Sequence, residues 1–196
     1  MTHFTTFTML LLGLCVTWAG CVHRIQVAPL SASASSITIP RPLQAVVSPI
    51  ALEGPDHRPG IVMLEWSHLD LEQAVVQYLQ QRSTFASVSS DPADLTLRVA
   101  TKLTLTSHSG LYRYRIRLQA EMSEGARLLK SYLADQTAVG SSVRWVTASD
   151  RDPIEIALQA ALEDLMGQVE ADRSIYISRT EQPSQKLSDD KPSPDG

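Results

Sequence analysis

The chain is poor in cysteine and in aromatic residues, and it has no excess of positive charge. Its 196 residues include two cysteines, Cys15 and Cys21, which both lie in the opening segment. A disulfide framework in the folded part is therefore excluded. Aromatic residues make up 6% of the chain and the formal net charge is −4, which excludes the strongly basic composition of a typical nucleic-acid-binding protein. An apolar share of 43% excludes a chain too polar to fold.

Sequence motifs of common enzymes are also missing. The chain has no Gly-rich phosphate loop, no G-x-S-x-G elbow and no H-E-x-x-H zinc helix. The histidines beyond the first residues are His23, His57, His68 and His108. They lie in segments of different kinds, so they predict surface residues rather than a metal site. We therefore expect no enzymatic activity, no metal and no cofactor.

The opening segment carries the strongest functional signal. Residues 7–20, FTMLLLGLCVTWAG, form an apolar and uncharged run, which has the length of a signal-peptide core and is shorter than the roughly 20 apolar residues that span a bilayer. The run ends in Ala19-Gly20-Cys21. This ending resembles the bacterial lipobox, in which small residues precede a cysteine that is acylated and becomes the N-terminus after cleavage.

Residues 1–20 are accordingly predicted to be a lipoprotein signal peptide, and Cys21 the lipidation site. Two features depart from the lipobox pattern: Trp18 stands where an aliphatic residue is usual, and residues 1–7 contain no Lys or Arg. The alternatives are an ordinary signal peptide with an incidental cysteine and a buried apolar strand. Each buried acyl methylene contributes about 0.8 kcal/mol, so two or more acyl chains anchor a protein without a transmembrane helix.

The residue after the cysteine bears on the choice of membrane. In enteric bacteria, Asp at this position marks inner-membrane lipoproteins, and this chain has Val22. By that resemblance we expect a lipid anchor in the outer membrane, on its periplasmic face, with the inner membrane as the alternative.

Low-complexity segments flank one predicted domain. Residues 21–42 are rich in Ser, Ala and Pro and predict a lipidated flexible tether, while residues 178–196 lack apolar periodicity and predict a disordered tail. Residues 43–177 are predicted to form one periplasmic domain. Docking of either flanking segment on the domain is the alternative.

Hydrophobic spacing within the domain predicts two helices and a first strand. Ser67, with Asp70 three residues later, is typical of a helix N-terminus and predicts a helix over His68–Arg82. The sequence Asp152-Pro153-Ile154-Glu155 predicts that a second helix begins with Asp152 as its N-cap. A strand is expected over Ala45–Leu52, although its Pro49 favours an edge or a bulge.

Strict alternation of apolar and polar residues predicts a β-hairpin. Residues 95–106 and 111–122 alternate in this way, which is typical of strands with one buried and one wet face. We expect Thr106 to pair with Leu111 across a four-residue loop, because this register matches apolar with apolar residues. A third strand should follow over Arg127–Thr137.

These elements predict an α+β two-layer sandwich. Two amphipathic helices should pack on one face of a mostly antiparallel sheet of about four strands. The element order, with the segments ADLTLRVATKLTL, YRYRIRLQAEM and IEIALQAALEDLMGQVEADRSI, resembles the YajG-like family of bacterial lipoproteins. The resemblance implies an envelope lipoprotein without assigned catalytic residues.

A row of arginines on the wet face is the candidate binding surface. Arg113, Arg115 and Arg117 alternate along one strand, and the predicted register places Lys102 opposite Arg115, with Arg98 two pairs farther along. Because like charges opposed in a sheet repel each other, the row favours contact with an acidic partner, an acidic segment of the same chain, or anionic headgroups. The alternative is a solvated face whose long side chains cover apolar surface.

The sequence thus predicts a non-enzymatic, membrane-anchored periplasmic lipoprotein. It should bind another envelope protein or an anionic envelope component, as an accessory subunit of an assembly or transport system, and it should not bind nucleic acid. A self-associating structural lipoprotein and, with less support, a hydrolase are the alternatives. The oligomeric state stays open.

Overall fold

The computed structural model describes residues 22–25, 30–53, 63–109, 111–140 and 148–177. The strands are β1 (Val22–Ile25), β2 (Ile39–Val47), β3 (Ala51–Glu53), β4 (Met63–Trp66), β5 (Phe85–Ser89), β6 (Leu95–His108), β7 (Leu111–Glu124) and β8 (Arg127–Gly140). The helices are α1 (His68–Arg82), α2 (Ala148–Ala171) and α3 (Arg173–Ile177). The predicted signal peptide, Cys21 and the predicted tail lie outside the described residues.

Helix α1 begins and ends where the sequence predicts. The Ser67 hydroxyl accepts a hydrogen bond from the amide of Asp70, which satisfies one of the free amides of the first turn. Ser83 closes the helix with a left-handed φ of 57°, a common C-terminal conformation. The buried side chains of α1 are Leu71, Ala74, Val75, Tyr78 and Leu79. They form the predicted apolar stripe, so this prediction is confirmed.

Helix α2 begins earlier than predicted. It starts at Ala148, so Asp152 is not its N-cap and Pro153 lies inside the helix. Proline removes one helical hydrogen bond, but the Pro153 ring is buried against the end of β8, where a Cβ on Gly140 would lie 2.9 Å from its Cγ. This packing offsets the lost bond. The predicted apolar stripe is buried as expected: Ile154, Ala157, Leu158, Ala161, Leu165 and Val169.

A mixed sheet forms the second layer. In the described part of the chain this sheet has six strands, in the order β5-β2-β6-β7-β8, with β3 beside β6. Strand β2 runs parallel to both β5 and β6, and β3 runs parallel to β6. The β6–β7 and β7–β8 pairs are antiparallel. The helices pack on one side of this sheet, which confirms the α+β architecture, although the described residues form three helices where two were expected.

The sheet corrects the expectation of about four mostly antiparallel strands. The sequence prediction missed β5, and the predicted strand over Ala45–Leu52 is split at Ser48-Pro49-Ile50 into β2 and β3. The parallel pairing of β2 with β5 follows from connectivity, because the chain passes through α1 between these two strands and so enters β5 from the same end of the sheet as β2. Strands β1 and β4 form a separate parallel pair.

The hairpin register differs from the prediction by two residues. His108, rather than Thr106, pairs with Leu111. The turn at Ser109, which has a φ of 52°, is shorter than predicted, so Ser107 and His108 belong to the strand. A shift by two residues keeps each side chain on its original face. The predicted core residues are therefore buried despite the wrong register: Leu97, Val99, Leu103, Tyr114, Ile116 and Leu118.

The domain begins before the predicted boundary at Leu43. Strand β2 starts at Ile39, and both Leu30 and Ile39 are buried. The amides of Ser35 and Ile39 donate to the carbonyls of Arg82 and Thr84, each at 2.7 Å. Residues 30–42 of the predicted tether therefore pack on the domain, as in the docking alternative.

Candidate functional site on the open face of the sheet

The candidate site lies on the face of the sheet opposite the helices. Successive residues of a strand point to opposite faces, and the pairing of β6, β7 and β8 arranges the outward residues in rows across the three strands. Three neighbouring rows, here called the upper rows, consist of Thr106, Arg113 and Val139; of Thr104, Arg115 and Thr137; and of Lys102, Arg117 and Asp135. The predicted arginine row thus forms the middle column of the upper rows.

Asp135 on β8 binds two of these arginines. Arg115 donates from Nε and Nη2 to the two carboxylate oxygens at 2.6 and 2.5 Å, and Arg117 donates to Oδ2 at 3.1 and 3.0 Å. The hydrogen bonds from Arg115, followed by those from Arg117, hold the pKa of Asp135 below its usual value despite partial burial. One carboxylate neutralises one of two guanidinium groups, so this cluster keeps a positive charge.

Lys102 faces a different arginine from the one predicted. Its cross-strand neighbour is Arg117 rather than Arg115, because the hairpin register is shifted by two residues. Glu53 on β3 relieves the repulsion, since its carboxylate lies 2.6 Å from Lys102 Nζ. Glu53 and Asp135 thus supply acidic groups of the same chain to this face, and no sequence pattern points to either residue.

Arg113 and Arg98 differ from the other cations of the face. Within the ranges that the structure describes, no salt bridge forms to either side chain. Both are exposed, and Arg113 stands beside Val139, which is 57% exposed. Arg98 pairs across the strands with Glu121, and it lies two outward positions from Lys102, as predicted.

A shallow depression adjoins the upper rows. It has a volume of about 550 Å³ and lies on the Ala100 and Arg98 side of Lys102. Its lining side chains on the open face are Ser48, Arg98, Ala100, Gln119, Glu121, Ser131 and Leu133. The floor is low because Ala100, Ser48 and Ser131 are small, and the longer side chains of Arg98, Gln119 and Glu121 form the walls.

The chemistry of this face is that of binding. The upper rows hold four cations, Lys102, Arg113, Arg115 and Arg117, and one acid, with a further acid, Glu53, beside them. Guanidinium groups bind carboxylates and phosphates through paired hydrogen bonds. Across the described ranges, no three His, Cys, Asp or Glu side chains are placed to hold a metal ion. No helix among these residues has the length and apolar character needed to cross a bilayer.

Comparison with known proteins relates the chain to others through its fold. No protein-family model matches the sequence, and no curated protein matches it. A DUF330 protein from Xanthomonas campestris superposes with a TM-score of 0.55 at 18% identity, over 77% of this chain and 95% of that chain. A hypothetical protein from Chlamydia trachomatis gives 0.48 at 10% identity, over 70% and 98%. A minor lipoprotein from Acinetobacter baumannii gives 0.42 at 15% identity, over 63% and 93%. The Xanthomonas protein and this chain therefore share a fold.

Proposed function

We propose that the protein is a non-enzymatic lipoprotein of the bacterial envelope, anchored by lipid on Cys21, that binds an acidic surface of another envelope protein. In this role it serves as an accessory subunit of an assembly or transport system. One observation carries the proposal: the open face of the sheet presents the four cations of the upper rows, and among the described residues only Glu53 and Asp135 form salt bridges with them.

The envelope location rests on the sequence at residues 7–21. An apolar core that ends in Ala19-Gly20-Cys21 is the pattern of a lipidated export signal. Val22 favours the outer membrane, with the folded domain in the periplasm. We also propose that the chain is related to the YajG-like lipoproteins.

Electrostatics supports an acidic protein partner. Solvent-exposed cations steer an oppositely charged partner and fix its register, while single exposed pairs contribute little stability. Arg115 and Arg117 are 51% and 42% exposed in their side chains, so their remaining donors face solvent. Because exposed ion pairs contribute little to folding, rearranging them to bind a partner costs the domain little stability.

A site-specific crosslink tests this surface. A photo-crosslinking amino acid replaces Thr104, in the middle one of the upper rows, or Glu163, an exposed residue of α2 on the helical side. We expect an adduct in intact cells from position 104 and none from position 163. The triple variant Arg113→Gln, Arg115→Gln, Arg117→Gln should abolish the adduct, and added salt should weaken it in isolated membranes.

A control variant that loses exposed cations elsewhere separates this effect from general loss of charge. Arg127→Gln combined with Arg173→Gln removes exposed cations elsewhere and should leave the adduct intact. An adduct that survives the triple variant at low salt would show that the upper rows are a solvated face and that the partner binds elsewhere.

Self-association is the second candidate, and the free edge of β8 favours it. In the described part of the chain, β8 has 14 residues and pairs only with β7. An open edge of this length is a template for another strand. The same crosslinking experiment distinguishes the two functions, because an adduct of twice the protein's mass that contains only its own peptides supports self-association.

A further inference from the structure

We propose that the depression beside the upper rows is an anchor pocket for one apolar side chain, and that the partner presents it on an extended acidic segment. The carboxylates of that segment lie on the upper rows. This inference rests on the proposed function and specifies the chemistry of the partner.

The walls of the depression suit a single apolar side chain within a polar segment. Ala100 lies at the floor and Leu133, 50% exposed, lies at the rim, so both offer apolar contact. Arg98 and Glu121 stand at the far side, opposed across β6 and β7. In the described ranges they form no ion pair with each other. They therefore leave a donor and an acceptor for the backbone of the segment.

The spacing of the rows fixes the pattern of the segment. Outward residues on one strand repeat every second position, which is about 7 Å along the strand. An extended peptide lying along β6 and β7 has the same repeat on its lower face. A side chain in the depression at Ala100 then places the next three alternate positions over the rows of Lys102, Arg115 and Arg113 in turn. The matching sequence has one apolar residue followed by acidic residues at every second position.

The distribution of charge favours a peptide over a membrane surface. Four cations lie in the upper rows, whereas the neighbouring row of Ala100, Gln119 and Leu133 carries no charge and Arg98, one row farther, stands opposite Glu121. A flat layer of anionic headgroups would contact the cations but would not enter the depression. A peptide segment with an apolar side chain contacts both the cations and the depression. Arg113, without a salt bridge in the described residues, is available to the last carboxylate.

Defined peptides test the inference on the full mature protein. The probe is fluorescently labelled Ser-Leu-Ser-Glu-Ser-Glu-Ser-Glu, used together with its reversed sequence because the face does not fix chain direction. Ser-Leu-Ser-Ser-Ser-Glu-Glu-Glu has the same composition without the alternation. We expect one direction of the alternating probe to bind about tenfold more tightly than the block sequence, as measured by fluorescence anisotropy.

The decisive variant is one whose side chain fills the depression. Ala100→Leu should weaken binding of the alternating probe about tenfold and leave unchanged the binding of a probe whose Leu is replaced by Ser. Ala86→Leu, at an exposed alanine of β5 outside the depression, is the matched control and should have no effect. Thermal unfolding of both variants verifies that they are folded.

Each contrary outcome has a defined meaning. If Ala100→Leu has no effect while the triple Arg-to-Gln variant loses the probe, the anchor pocket is refuted and the proposed function stands. Equal binding of the alternating and block probes refutes the alternating pattern of the segment. If no probe binds, or if vesicles containing phosphatidylglycerol bind through the arginines while the probes do not, the peptide segment is refuted. The crosslink from position 104 in intact cells then tests the proposed function separately.

Discussion

At the scale of single residues, Glu170 joins three parts of the chain. Its carboxylate accepts from Arg82 Nε at 2.7 Å, from Arg82 Nη2 at 3.0 Å and from Thr84 Oγ1 at 2.8 Å. Burial disfavours its charge, but hydrogen bonds from Arg82, Thr84 and Ser35 outweigh this effect and lower the pKa of Glu170 below its usual value. The end of α1, the end of α2 and the segment before β2 are thereby held together.

The lowered pKa predicts an acid-dependent contribution to stability. The unfolded chain binds a proton at Glu170 more readily than the folded chain. The stability that this group contributes is therefore fully present above the ordinary glutamate pKa, and it is lost as the pH falls through the lower pKa of the folded state. Glu170→Gln should lower the free energy of unfolding by roughly 1–3 kcal/mol at pH 7. This deficit should shrink below about pH 4.

Urea unfolding at pH 7 and at about pH 3 measures this difference. Glu163→Gln, on an exposed face of the same helix, serves as the control and should change little at either pH. An equal deficit for Glu170→Gln at both pH values would contradict a role for its charge.

Residues of the core were predictable, and the acids of the site were not. Leu118 and its neighbours alternate with a period of two, which shows which side chains face the core. An error of two residues in the register leaves that assignment unchanged. The importance of Asp135 depends on the register between β7 and β8, and that of Glu53 on a parallel pairing with β6. Pairing of strands distant in sequence leaves no local pattern, so these partners emerge only from the fold.

At the scale of elements, two glycines occupy opposite backbone environments. Gly125 in the β7–β8 turn has a φ of +57°, whereas Gly167 lies within α2. A Cβ at either position would meet no atom within 4 Å. Differences between their alanine variants therefore report backbone conformation rather than packing.

The two alanine variants should have opposite effects. Gly125→Ala should destabilise the domain by about 1–2 kcal/mol, because L-residues are strained at positive φ. Gly167→Ala should stabilise it by roughly 0.5–1 kcal/mol, because alanine is the better helix former. Thermal or urea unfolding of both variants checks the signs, and destabilisation by both would mean that steric contacts dominate.

Element prediction succeeded where several local signals agreed. For α1, the capping serine, the acidic first turn and the buried stripe all indicate the same bounds. For α2, the proline and its flanking acids are typical of a helix start, yet the packing of Pro153 on Gly140 allows the helix to begin four residues before Asp152. Strand β5 has only five residues, too few for alternation to stand out, and its pairing with β2 is non-local.

At the scale of the whole molecule, the proposed lipid anchor on Cys21 would determine where the open face operates. Cys21→Ser should move the protein from the membrane fraction to the soluble periplasmic fraction, because the acyl chains supply the membrane affinity. Metabolic labelling with a radioactive fatty acid should mark the wild type and not the variant. Cys15→Ser is the matched control and should stay labelled. Labelling of Cys21→Ser at the wild-type level would contradict lipidation at this residue.

The position of β2 in the sheet has a mechanical consequence for a protein held at its N-terminus. Strand β2 is the first strand of the main sheet along the chain, yet it lies between β5 and β6 and is hydrogen-bonded to both. A pull on the N-terminal side of the domain would enter this sheet through β2. Extraction of β2 requires two ladders to shear at the same time, whereas an edge strand is peeled from one. The order of strands would therefore make the sheet resistant to tension applied from the proposed N-terminal anchor.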